Sequence, residues 1–192
     1  MGKIAQGVLL VLALLALSMA RSHSFAEELT HSGNWRHRLG LGKEKITQLH
    51  FFFHDTLSGK KPSAVPIAKA EMTDKSPTVF GKVLMADDPL TEGPEPTSKE
   101  VGRAQGIYGS AGQEGLSLIM AMSFSFTEGK YNGSSFSLMS RNPALNPVRE
   151  LAIVGGTGVF RLSQGYVVAK TYWFNSTSGD AIVEYNATLV HY

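Results

Sequence analysis

From about residue 47 onward, hydrophobic and polar residues alternate with a period of two. In 48–54, Leu49, Phe51 and Phe53 fall on one side, with His50, Phe52 and His54 on the other. In 115–127, Leu116, Leu118, Met120, Met122, Phe124 and Phe126 share a face opposite Ser117, Ser123 and Ser125. Successive side chains of a strand point to opposite faces, so this pattern predicts strands with one buried side. It predicts further strands over 78–85, 134–139, 149–154, 159–174 and 180–191. In the last, Val183, Tyr185, Ala187 and Leu189 oppose Glu184, Asn186 and Thr188. Asn132-Gly133 is a strong hairpin signal, Gly155-Gly156-Thr157-Gly158 reads as a tight turn, and 175–179 separates the last two strands. Residues 87–99 carry three prolines and Gly93, which predicts a long loop with Asp87 and Asp88 in solvent. No useful helical period follows the N-terminal apolar run. Seven to nine strands with short turns predict an all-β fold, a closed antiparallel barrel or a sandwich, and closure removes exposed edges.

The first residues change the picture. Lys3 precedes an aliphatic run over 7–17, and Ser18-Met19-Ala20 and Ser24-Phe25-Ala26 both fit a small-x-small cleavage site. The run is short for a bilayer span, so a secretory signal peptide is predicted over 1–26. No second spanning run follows, and no membrane role is expected. Residues 27–45 are polar and glycine-containing, which predicts a flexible arm ahead of a barrel domain over 46–192. The net charge of the 192-residue chain is only +2 and no basic block with interleaved aromatics occurs, which argues against nucleic acid as a partner. Cysteine is absent, so thiol nucleophiles and thiolate metal sites are excluded. Asn132, Asn175 and Asn186 head glycosylation sequons, in keeping with an extracellular chain.

Candidate chemistry is sparse. Asp55 ends an aromatic-rich strand, where partial burial would raise its pKa and suit it to acid–base work; a strand-end cap is the plainer reading. Adjacent Asp87 and Asp88 do not make a cation site without further ligands, so no metal is expected. The Gly155–158 segment lacks the following helix that phosphate binding requires. No motif for a redox cofactor is present, and none is expected. Phe51, Phe53, Phe124, Phe126, Tyr166, Trp173 and Tyr185 could line a cavity for an aromatic ligand or simply fill a core.

Several segments in order resemble one plant family. They are Phe51-Phe52-Phe53-His54-Asp55, Phe80-Gly81-Lys82-Val83 and Asp87-Asp88-Pro89-Leu90-Thr91-Glu92-Gly93-Pro94. Val101-Gly102-Arg103-Ala104-Gln105-Gly106, Gly129-Lys130-Tyr131-Asn132-Gly133-Ser134, Val154-Gly155-Gly156-Thr157-Gly158 and Val183-Glu184-Tyr185-Asn186 follow, with His191-Tyr192 at the end. Each is weak alone; together they resemble the dirigent proteins. The resemblance implies an eight-stranded antiparallel β-barrel of the allene-oxide-cyclase-like type, usually a homotrimer (a homodimer is the alternative), secreted to the apoplast. It implies site residues at Asp55, Tyr108, Arg149 and Thr171. Family positions for a second tyrosine and a second aspartate fall at Ser110 and Asn142. Asp55 would be the acid or base, Tyr108 and Thr171 hydrogen-bond donors, and Arg149 the holder of phenolate charge. An Asn can orient an oxygen but cannot exchange a proton, so a paired-acid scheme through Asn142 is put in question.

The resemblance also implies a function without a cofactor. The leading expectation is stereoselective coupling of phenoxy radicals made by a separate laccase or peroxidase, in phenylpropanoid or lignan biosynthesis and defence. The alternatives are an enzyme that handles a quinone methide, as in pterocarpan formation, and a carbohydrate-binding defence barrel without turnover.

Overall fold

A computed structural model describes residues 35–192. The leader predicted over 1–26 and the first part of the arm predicted over 27–45 lie outside the described residues. In the chain's first unit, residues 1–41, one helical turn is described, α1 (Trp35–Arg38).

The second unit, from Gly42 on, is a barrel of antiparallel strands: β1 (Lys45–Asp55), β2 (Ala64–Ala68), β3 (Val83–Thr91), β4 (Glu100–Ser110), β5 (Leu118–Phe126), β6 (Ser135–Asn142), β7 (Arg149–Thr157), β8 (Gln164–Phe174) and β9 (Ala181–His191). The order across the sheet is β1-β9-β8-β7-β6-β5-β4-β3-β2. Pairing of Phe52 with Thr91 and Phe53 with Leu90 joins β1 to β3 and closes eight strands into the barrel. Short β2 extends the seam, pairing with the first half of β3. The alternation read from the sequence holds: Met120, Met122, Phe124 and Phe126 of β5, and Val183, Tyr185, Ala187 and Leu189 of β9, are buried.

Four expectations are corrected. Residues 87–91 are strand, not loop; only 92–99 connects β3 to β4. Pro89 is tolerated because it lies where β3 changes partners. The Asp87 N–H donates to the Ser63 carbonyl, whereas β1 pairing begins at Leu90, so the proline nitrogen faces a gap in the ladder. The strand β4 was not among the predicted strands, because glycines interrupt its alternation. Gly106 has φ +154°, and a Cβ there would sit 2.3 Å from the Ala121 carbonyl oxygen on β5. Gly155 and Gly156 belong to β7, paired with Ser137 and Phe136, and the turn comes later, at the 3₁₀ segment Gly158–Phe160. The strand predicted from residue 159 therefore starts at Gln164, and the one predicted from residue 78 starts at Val83.

Aromatic side chains fill one end of the barrel. Phe124 and Phe136 stack at 4.9 Å with nearly parallel rings, and Phe51 stacks on Tyr185 at 5.6 Å. Below them, Phe160 packs on Tyr131 and His191. The opposite end, where β1, β4, β6 and β8 finish and β5, β7 and β9 begin, is left open. Sequon residue Asn132 is exposed in the turn before β6. Asn175 caps the β8–β9 turn, its Oδ1 accepting the Thr177 N–H at 2.9 Å; Asn186 lies on the outward, half-buried side of β9.

Candidate functional site

Period-two alternation carries Asp55 inward after Leu49, Phe51 and Phe53, and brings it to the open end of the barrel. There a cavity of about 700 Å³ is lined by Asp55, Tyr108, Asn142, Arg149 and Thr171 together with apolar side chains such as Phe53, Leu84, Leu118 and Met120. The structure thus brings all five sequence-predicted site residues to one cavity, of a volume usual for small-molecule sites. Of the aromatics considered for a lining, only Phe53 and Tyr185 reach it. Phe51, Phe124 and Phe126 belong to the core, and Tyr166 and Trp173 are exposed. Ser110 also lines the cavity, but its hydroxyl donates to the Thr78 carbonyl at 2.6 Å.

Two polar groups face the cavity from different strands. In the first, the Tyr108 hydroxyl of β4 donates to Asp55 Oδ2 at 2.6 Å. Burial raises the Asp55 pKa from 3.8 to about 6; the Tyr108 hydrogen bond opposes this and the nearby Asp180 charge adds to it. Asp180 is itself fixed, accepting from the Leu57 and Ser58 N–H groups at 2.7 and 3.0 Å, which pins the β1–β2 loop to the β8–β9 turn. Burial and the Asp55 charge hold the Tyr108 phenol far above its ordinary value, so it remains a donor. In the second group, Arg149 at the start of β7 is buried. Its Nη1 donates to Thr171 Oγ1 at 2.8 Å and to the Asn146 carbonyl at 3.2 Å, and its Nε to Asn142 Oδ1 at 3.3 Å. Every one of these partners is neutral, and no carboxylate pairs with Arg149 among the described residues. Burial pulls its pKa down from 12.5, but a guanidinium stays charged. A buried cation without a counter-ion, beside a cavity, favours a ligand oxygen that carries or develops negative charge.

Sequence reasoning missed Asp88. It was expected in a solvated loop, yet it is fully buried on the inward side of β3 with Leu84, Ala86 and Leu90. The prolines of 87–99 masked an alternation that would have placed it. Asp87, its neighbour, does face solvent and pairs with Arg103 at 2.9 Å. Neither Asp88 oxygen has a hydrogen-bond partner among the described residues. Burial and then the Asp55 charge push its pKa up to about 8, and the nearby Ser63 hydroxyl offsets part of this.

This shift has a stability consequence. The unfolded chain releases the Asp88 proton near 3.8, while the folded chain keeps it to about 8. Asp88 therefore costs nothing below 3.8; stability falls as pH rises from there toward the folded value, and the loss is complete above it. Asp88→Asn, which does not titrate, is expected to flatten that decline. Urea unfolding of both proteins at pH 5, 7 and 9 checks it: the variant's advantage grows with pH, and parallel pH dependences would contradict the assignment.

Comparisons with known proteins agree with this fold. A family model described as dirigent-like protein matches residues 46–190. Dirigent protein 23 of Arabidopsis thaliana is 50% identical over 184 residues, covering 96% of this chain and 94% of that protein. Pterocarpan synthase 1 of Glycyrrhiza echinata is 52% identical over 155 residues, covering 80% of this chain and 82% of that protein. A solved pterocarpan synthase dirigent protein superposes with a TM-score of 0.74 at 50% identity, over 79% of this chain and 87% of that one. With its closed eight-stranded barrel and near-full-length matches, this chain belongs to the dirigent-like protein family.

Proposed function

We propose that the protein acts on a phenolic substrate by proton transfer, forming a quinone methide and steering its capture. The observation that carries this reading is the Asp55–Tyr108 hydrogen bond on a cavity that also holds the unpaired Arg149 guanidinium. A phenol bearing a benzylic hydroxyl and a second phenolic hydroxyl suits the arrangement. Arg149 and Thr171 hold its phenolate oxygen. Protonated Asp55 gives its proton to the benzylic hydroxyl, the C–O bond breaks, and water and a quinone methide result. The second phenolic hydroxyl then attacks the methide carbon and returns a proton to Asp55, so the net change is loss of one water. Relatives at 52% identity that bear the name pterocarpan synthase support this reading.

A second reading is orientation of phenoxy radicals supplied by a laccase or peroxidase. Its support is the size of the cavity, ample for more than one aromatic ring, and the relatives named only as dirigent proteins. Oxidant dependence separates the two: dehydrating turnover in oxygen-free buffer supports the first, and stereoselective product only with laccase supports the second.

The outer wall supports self-association as well. Val65, Met85, Ile107, Ala121 and Met139 form one in-register row across β2, β3, β4, β5 and β6. All but Ala121 are well exposed. We propose that further copies of this chain cover the row, as a homotrimer. Ile107→Glu is expected to yield a folded monomer by light scattering; a monomeric wild type at micromolar concentration would overturn the reading.

A further inference from the structure

Asp55 and Asp88 stand at one point of the barrel seam. The β1–β3 register, Phe52 to Thr91 and Phe53 to Leu90, continues to Asp55 opposite Asp88 where the two strands part. Each lies two positions from an inward-facing neighbour, Phe53 on β1 and Leu90 on β3, so their carboxyls enter the same interior. Asp55 lines the cavity; Asp88 does not, and lies behind it. Tyr108 occupies Asp55 Oδ2, but Asp55 Oδ1 and both Asp88 oxygens are buried without a hydrogen-bond partner among the described residues. Two buried carboxyls at one point of the seam, with these oxygens unsatisfied, are costly if both are charged, and one proton carried by the pair removes much of that cost.

We propose that Asp88 is a positioning residue that holds the resting proton of a two-carboxyl site and passes it to Asp55 when the ligand's leaving hydroxyl needs it. This rests on the acid–base reading above. In the resting site Asp88 is the neutral acid and Asp55 the carboxylate. The Asp88 proton moves to Asp55, then from Asp55 to the benzylic hydroxyl, which leaves as water. The attacking phenol later gives its proton to Asp55, and transfer back to Asp88 restores the start. One proton leaves the pair and one returns, with no oxidant or reductant.

The charges around Asp88 agree with that role. Asp55 on β1, whose charge raises the Asp88 pKa, and Asp87 on its own strand both disfavour ionisation of Asp88, and Arg103 on β4 opposes them. The phenols of Tyr108 and Tyr185, both held far above their ordinary range, stay neutral and supply no charge. With Asp88 as the store, the pair keeps a proton to higher pH than Asp55, whose upward shift is the smaller, would hold its own.

The test is carboxyl ¹³C NMR titration of the mature full-length protein, with Asp55→Asn and Asp88→Asn. The wild type is expected to show two coupled carboxyl midpoints, near 6 and near 8. Asp88→Asn removes the upper one. Asp55→Asn lowers the midpoint of Asp88, because a neighbouring charge is gone. An Asp88 midpoint in the ordinary carboxyl range, or one unmoved by Asp55→Asn, overturns the pair. A second readout is the pH–rate profile on a phenol with a benzylic hydroxyl. Asp88→Asn is expected to move the alkaline limb about two units toward acid, costing about tenfold or more at pH 7.5 while sparing the rate at pH 5. A uniform loss at every pH would make Asp88 merely structural. Absence of wild-type turnover without oxidant, with both midpoints in place, overturns the dehydration reading and not the shared proton.

Discussion

Asp55→Asn is expected to lower turnover of a phenolic substrate by ~10²–10⁴-fold while leaving substrate affinity within a few-fold of wild type. Asparagine has nearly the shape of aspartate, and its Oδ1 can still accept from the Tyr108 hydroxyl that now donates at 2.6 Å. The cavity wall and the Asp180 clamp on Leu57 and Ser58 are untouched. What disappears is the exchangeable proton. The effect therefore belongs in kcat on the proposed reading, in which Arg149, Thr171 and the apolar lining are the groups that hold the phenol and are left unchanged. In the wild type, burial leaves Asp55 with a midpoint of about 6, so its protonated form persists closer to neutrality than an exposed aspartate's would. Single-turnover kinetics beside equilibrium binding checks the separation. Equal loss in binding and rate would show that the substitution damaged the cavity instead.

The second large effect is on stability. Phe124→Ala is expected to destabilise the barrel by ~3–5 kcal/mol, read as a lower urea midpoint at unchanged slope. Phe124 is fully buried, stacks on Phe136 at 4.9 Å, and packs on Phe51, Phe53 and Tyr185. These rings come from β1, β5, β6 and β9, on different sides of the closed sheet, so collapse into the space left by Phe124 requires several strands to move together. The absence of cysteine leaves no disulfide to limit the damage. A loss below about 1 kcal/mol would mean that the aromatic core repacks freely.

How far the structure was legible follows the same physics. Where a strand has one wet face and one dry face, as in β5 and β9, alternation in the sequence located it and its inward side. It failed where another constraint set the residue type. Gly106 is needed because β5 approaches too closely for a Cβ, and Pro89 fits a gap that exists only once β1 and β2 share the edge of β3. Both residues read locally as breakers. The same masking hid Asp88, whose burial depends on strand pairing far away in the chain. Asp55 was visible as a strand-end carboxylate, but its Tyr108 partner lies 53 residues on. The Arg149–Asn142–Thr171 group draws on three strands, and only the family resemblance pointed to it before the barrel brought it together.

The most direct test of acid–base chemistry at this cavity follows the oxygen atom that should leave. A phenol with an ¹⁸O-labelled benzylic hydroxyl and a second, unlabelled phenolic hydroxyl is incubated with the protein in oxygen-free buffer, and the product is read by mass spectrometry after chiral chromatography. The expected result is a cyclised product, one enantiomer in excess, that has lost the label as water, with Asp55→Asn giving none. Label retained in the product, or product formed only when a laccase and oxygen are added, would contradict the account and place the protein among guides of radical coupling.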